Sequence, residues 1–336
     1  MAGCSSNDTQ VPERSLWIFL VLVCLLSWPL WVVSGVLPRA GAGVYDAHWL
    51  VAQIGVMGPA LAALFVSGSL SRELRWNSLR LLPVVLVPLV VPGTLVARAA
   101  PPKVAMMPSL PAIVTVAVAT LVVLFFSPLN RRLLGPATGT PQTRPAGGVV
   151  MLSMTLLPAL FLLAWALAGV RKGHFEIGAL PGEPLSSAWI VLVVFAHNLL
   201  LGGSLGEEIG WRGVLLPALL RRMSPLGASL VLGVVWGLWH LPIDLVAGFG
   251  VTGPSAILAR IVFVLPVAVL FTWFYLRSNG SLLVAILLHT SINVMGDLGF
   301  SGYEETSMMF GLLIGASALV LAVFSPMLHS TSAQVA

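Results

Sequence analysis

Apolar residues in this chain gather into long runs, each able to cross the roughly 30 Å hydrocarbon core of a bilayer. They lie near residues 16–37, 48–68, 79–97, 109–127, 149–170, 187–203, 226–248, 255–276, 280–298 and 307–325. Runs this apolar predict helices, because in lipid only a helix or a closed barrel satisfies its own backbone. The predicted fold is all-α, a polytopic transmembrane bundle of about ten helices. One stretch, 204–222, breaks the pattern. It is half polar and reads as the sixth helix continued beyond a Gly-Gly-Ser break at 202–204. The clearest linker is 135–148, a string of Gly, Pro and Thr with little to bury. It divides 1–135, a set of N-terminal transmembrane helices, from 149–326, a helical bundle that holds every candidate site residue. No internal repeat is visible, which argues against an inverted-repeat transporter.

Composition agrees with this reading. Hydrophobic residues make up 58% of the 336 residues and charged ones 9%, and the mean hydropathy is +0.99. So few charges cannot keep a soluble domain of this length wet, so the chain is expected to be an integral membrane protein with lipid as its first partner. The formal net charge of +5 does not point to nucleic acid. The basic residues sit at the ends of apolar runs, where they act as topology signals. With the N-terminus inside, most of them, Arg221, Arg222 and Arg277 included, fall on the cytoplasmic side. Arg171, Lys172 and Arg260 fall outside. The expectation is a bacterial plasma membrane protein with both termini cytoplasmic. The first run is too long for a signal h-region and no small-residue cleavage site follows it, so it reads as a retained span. Cys4 and Cys24 offer neither a disulfide framework nor a zinc-knuckle spacing.

Against this background the polar residues inside apolar runs stand out. A charged side chain at a bilayer centre costs about 2.5–3.5 kcal/mol on insertion scales, so it usually has a task. Glu207-Glu208-x-x-x-Arg212 places two carboxylates and a guanidinium on one helix. Glu208 and Arg212 are i,i+4 partners in the favourable order, whereas Glu207 points about 100° away and lacks that partner. Trp236-x-x-x-His240 follows, with an aromatic ring one turn before an imidazole to orient it and shut out water. His289-x-x-x-Asn293 puts imidazole and carboxamide on one face, suited to a metal or to a developing oxyanion. Each constellation also has a plain structural reading, as a snorkelling ion pair or an interhelical polar clasp worth ~0.6 kcal/mol. What joins them is depth. The turn at Met223-Ser-Pro225 lies midway between Glu207 and His240, so antiparallel helices meeting there bring both to one level. Gly202, Gly206 and Gly210, with Gly233 and Gly237, give those helices the spacing for close approach. His48, His174, His197 and His329 read as interfacial or packing residues, and Asp244 as a partner for His240.

The ordered trio resembles the CPBP family, the type II CAAX-prenyl-protease, abortive-infection and bacteriocin-processing intramembrane proteases. The resemblance covers about residues 187–298. The family more often has Phe where this chain has Trp236. By resemblance, Glu207 activates the attacking water, His240 shares it, and His289 with Asn293 steadies the oxyanion. Glu208, Arg212 and Trp236 support the site. The resemblance leaves two routes open: a zinc held by His240, His289 and Glu207, or a metal-free glutamate-dependent mechanism. The function it implies is an intramembrane endopeptidase acting on a membrane-tethered, prenylated or bacteriocin-like peptide. A non-catalytic membrane scaffold or immunity protein is the alternative and a small-solute transporter the third. Retention of Glu207, His240, His289 and Asn293 together favours the enzyme, since a scaffold does not need all four.

Overall fold

A computed structural model describes residues 13–37, 47–68, 147–175, 194–195, 197–199, 202–247, 254–297 and 304–330. The expected spans 79–97 and 109–127, most of 187–203 and nearly all of the 135–148 linker lie outside the described residues. Among those described, every element is helical. In chain order they are α1 (Glu13–Val36), α2 (Ala47–Val56), α3 (Gly58–Gly68), α4 (Gly147–Lys172), α5 (Ser204–Gly210), a π turn at Trp211–Leu215, α6 (Leu216–Leu220) and α7 (Pro225–Trp239). A second π segment at Ile243–Ala247 is followed by α8 (Pro254–Arg277), α9 (Leu282–Asp297), α10 (Glu304–Phe324) and the short α11 (Pro326–His329).

Among the described residues, four helical spans, Ser15–Val36, Gly147–Lys172, Ile257–Arg277 and Glu304–Phe324, are long and apolar enough to cross a membrane. Their outward faces remain apolar: Val21, Leu25 and Val32 on α1, Leu162 and Val170 on α4, and Leu312, Leu319 and Val323 on α10 are exposed. A helix apolar all round, with its outer face uncovered by protein, is a helix facing lipid. The chain is therefore an integral membrane protein with an all-α polytopic architecture.

Two expected spans are broken, and proline accounts for both. The run 48–68 divides at Met57, because Pro59 has no N–H to continue the ladder. The run 226–248 stops at His240, two residues before Pro242, and resumes as the π segment. This second break sets His240 at the end of α7 instead of within a continuous span. The Gly-Gly-Ser break is present as expected: Gly203 has φ +99°, open to glycine and strained for other residues.

The glycines do bring helices together, but not the pair predicted. Gly206 and Gly210 of α5 receive α3, where a Cβ on Gly206 would come 3.2 Å from the Met57 Cα and one on Gly210 would collide with Pro59. Gly233 and Gly237 of α7 receive α8, with Leu265 and Ile261 Cα atoms 3.1 and 3.2 Å from the added Cβ. Small residues mark where a backbone comes close without naming which one. Between these contacts lies the core, with Trp211, Leu216, Leu232, Phe271, Phe274 and Leu288 fully buried.

Candidate active site

Local sequence places the carboxylates. Glu207 and Glu208 are consecutive on α5, so their side chains leave the helix in different directions. Glu208 is fully buried and accepts hydrogen bonds on Oε1 from Arg212 Nη1 (2.8 Å) and from His289 Nδ1 (2.7 Å). The i,i+4 pair is the one expected; the bond to His289, from α9, is an addition. Arg212, also fully buried, lies between two aromatic faces, 4.5 Å from the Trp236 ring centre and 4.3 Å from that of Phe271. Its Nε and Nη2 find no hydrogen-bond partner among the described residues. Ring faces thus supply part of what water would give this cation.

Glu207 is 5% exposed. It lacks the Arg212 bond, as expected, but it is not left free. Its Oε2 accepts from the Trp236 indole Nε1 at 2.6 Å. Its Oε1 lies against Gly203, where an added Cβ would come within 2.8 Å. Trp236 therefore does more than flank His240: its ring carries the Glu207 bond on one edge and covers Arg212 with one face.

His240 bonds through Nδ1 to the Trp236 carbonyl oxygen (2.8 Å), which leaves Nε2 for a ligand. Three indoles enclose the imidazole: Trp239 (centroids 4.8 Å), Trp236 (6.2 Å) and Trp31 (6.3 Å, 19° from parallel). His289 packs against Trp236 and Phe271, and because Glu208 holds its Nδ1, its Nε2 is likewise the free nitrogen. Asn293, one turn further along α9, donates from Nδ2 to the Gly202 carbonyl oxygen (3.0 Å), tying α9 to the bend that precedes Glu207.

Glu207, Trp236, His240, His289 and Asn293 all line one cavity of about 610 Å³, within the range of small-molecule and peptide sites. Glu208 and Arg212 lie behind this wall. Phe161, Phe263, Val264, Val267, Ile292 and Phe310 supply apolar lining. Sequence reasoning missed several wall residues. Trp31, Gln53 and Val56 come from α1 and α2, and His197, read as a packing residue, also lines the cavity. The Asp244 carboxylate does not partner the His240 ring; only its backbone N–H reaches the His240 carbonyl oxygen (3.0 Å). The carboxylate forms a two-point ion pair with Arg260 (2.6 and 3.0 Å), whose side chain reaches the cavity from α8. Two opposite charges on neighbouring apolar elements were the available signal for that pair.

Among the described residues, no group of three or more His, Cys, Asp or Glu side chains is gathered as a metal site would require. His240, His289 and Glu207 do not form such a group.

Comparison with known proteins points to one family. Residues 186–295 match the family model described as type II CAAX prenyl endopeptidase Rce1-like. Over these residues the chain is similar to that family. A CAAX prenyl protease 2 from Methanococcus maripaludis is 32% identical over 171 residues, covering 49% of this chain and 62% of the relative. The chain thus spans less than two thirds of that protein. The match takes in α5 to α8 and nearly all of α9, with every candidate residue inside it, and leaves α1 to α4 outside.

Proposed function

We propose that this protein is an intramembrane endopeptidase that hydrolyses a peptide bond by direct attack of water, with Glu207 as general base. The observation that carries the reading is the convergence of Glu207, His240, His289 and Asn293 on one largely apolar cavity. The free ends of their hydrogen-bonding groups are the ones that chemistry needs. Glu207 Oε1 takes the proton from water as the oxygen attacks the carbonyl carbon. His240 Nε2 accepts the water's second hydrogen and fixes its orientation. Asn293 keeps one amide hydrogen beyond its bond to Gly202. With a proton on Nε2, His289 joins it as a donor to the tetrahedral oxyanion, while Glu208 holds the other side of its ring. Glu207 then returns its proton to the leaving nitrogen as the C–N bond breaks, giving a carboxylic acid and an amine. No acyl-enzyme forms on this route.

The donor set favours the metal-free form. A three-ligand zinc site needs His240, His289 and Glu207 turned toward one point, and among the described residues these three are not gathered in that way. Asn293 is a poor zinc ligand and a good hydrogen-bond donor. The substrate class is a membrane-tethered peptide, prenylated or bacteriocin-like. Its apolar part would pack against Phe161, Phe263 and Phe310 in the cavity lining.

The test uses purified protein with a fluorogenic prenylated CAAX-type peptide and an unlipidated copy, with products mapped by mass spectrometry. Cleavage by wild type and its loss in Glu207→Gln are expected, with activity kept in strong chelator. Turnover by Glu207→Gln at the wild-type rate overturns the general-base assignment. Stoichiometric zinc that disappears together with activity in His289→Ala overturns the metal-free form.

A further inference from the structure

His240 is held at an unfavourable place. It ends α7, where its own N–H reaches the Gly237 carbonyl oxygen at 3.2 Å, and among the described residues its ring makes one hydrogen bond, through Nδ1. A single bond to a backbone oxygen fixes one edge of an imidazole and leaves its tilt to packing. The nearest thing to a parallel surface is Trp31, whose ring lies 19° from the imidazole plane at 6.3 Å, an offset-stacked arrangement. Trp31 is itself tightly placed. It is fully buried, donates from Nε1 to the Ala52 carbonyl oxygen (3.0 Å) and packs on Trp239 at 4.6 Å. Its edge rests on Gly55, where an added Cβ would come 2.6 Å from Nε1.

We infer that Trp31 is a positioning residue for His240, and that α1 and α2 are therefore part of the catalytic unit although they lie outside the family-matched segment. The inference rests on the hydrolytic reading for its kinetic consequence and on geometry alone for its structural one. Orientation passes from the α2 backbone at Ala52, through the Trp31 indole, to the plane of His240. Trp28 provides an internal control. It lies one turn earlier on α1 and donates to the Trp239 carbonyl oxygen (3.1 Å), so it ties the same helix to the end of α7. It does not line the cavity.

The experiment compares Trp31→Leu, Trp31→Phe, Gly55→Ala and Trp28→Leu in the full chain. An aromatic offset stack accounts for about a two- to tenfold effect. The expected result is a kcat lowered about tenfold in Trp31→Leu with KM unchanged, and a smaller loss in Trp31→Phe. Gly55→Ala, which displaces the indole without removing it, should fall between them, and Trp28→Leu should stay near wild type. A readout independent of turnover is the rate at which diethyl pyrocarbonate modifies His240, mapped by mass spectrometry. It should rise several-fold in Trp31→Leu and not in Trp28→Leu. Unchanged modification of His240 in both Trp31→Leu and Gly55→Ala overturns the inference. So does a Trp28→Leu variant that loses as much kcat as Trp31→Leu, because α1 would then act only as scaffold. Wild-type turnover by Glu207→Gln refutes the hydrolytic reading instead and leaves the modification result standing.

Discussion

Replacing Trp236 with Phe separates two jobs that one ring performs. The phenyl ring keeps most of the packing against His289 and Phe271 and still covers Arg212, whose other face remains on Phe271. What it removes is the N–H that reaches Glu207 Oε2 at 2.6 Å. A hydrogen bond to an ionised group contributes about 1.5–3 kcal/mol net. The carboxylate concerned is 5% exposed, so little water stands ready to replace the bond. At about 1.4 kcal/mol per tenfold in rate, a base that loses this anchor should lose about ten- to 150-fold in kcat. Substrate contacts are untouched, so KM should stay within about twofold. The assay is steady-state cleavage of a fluorogenic peptide by the full chain in detergent, with a melting temperature for each variant. Alanine is the wrong substitution here, since emptying a buried Trp site costs about 3–5 kcal/mol of stability and would mask the chemistry. A Trp236→Phe enzyme with wild-type kcat refutes the reasoning. So does a kcat loss that tracks a fall in melting temperature, because the ring would then matter only as filler.

Three other substitutions separate structural from chemical roles, and two cysteine labels test topology. Glu208→Gln should destabilise the protein by about 3–5 kcal/mol, because it leaves Arg212 charged and buried without its carboxylate. Glu207→Gln should melt near wild type while losing activity, and equal destabilisation of the two would contradict the division of roles. Gly203→Ala should cost about 1–3 kcal/mol from its φ of +99° and also lower kcat, since the new Cβ would press on Glu207 Oε1; a variant that is less stable but has full kcat would show that the carboxylate tolerates the shift. Topology is tested with cysteines at Ser224 and Glu304, both exposed and at opposite ends of the bundle. A helix of 15 residues, about 22 Å, separates Ser224 from His240, whereas Glu304 lies within a turn of Ser307 on the cavity wall. Ser224→Cys should be labelled only from the cytoplasm and Glu304→Cys only from outside, and the reverse pattern inverts the orientation.

The sequence was most informative where physics is local. Spans follow from hydropathy, and the Glu208–Arg212 pair follows from helical spacing alone. The meeting of Glu207 and His240 follows from one turn placed midway between them. Partner choice across helices was not legible. Glu208 reaches His289 over 81 residues of chain and Trp236 reaches Glu207 over 29. Both bonds depend on how α7 and α9 rotate against α5, which no single helix encodes. The glycine spacing correctly signalled close approach, but the helices that come close are α3 and α8. The wall built by Trp31 carried no signal at all, because a tryptophan in an apolar first span is indistinguishable from a lipid-facing one until its neighbour is known.

The adjacency of Glu207 and Glu208 follows from these contacts. A helix turns about 100° between consecutive residues, so two neighbouring carboxylates face different helices while their backbones move as one. Glu208 spends both its bonds on architecture, joining α5 to Arg212 within its own chain segment and to α9 through His289. Any shift of α5 along its axis would therefore move the proposed base and the ring that faces the oxyanion together. Asn293 closes the same loop from the other side through the Gly202 carbonyl oxygen. The distance between the proposed base and the proposed oxyanion donors is thus set by two short bonds, one from α9 to α5 and one from α9 to the bend just before α5, independent of how firmly either helix is held in the surrounding lipid. A buried ion pair is weak evidence for stability as such. Here the value of Glu208 lies in registration: by bonding both Arg212 and His289 it holds the proposed base on α5 and the proposed oxyanion donor on α9 at one separation.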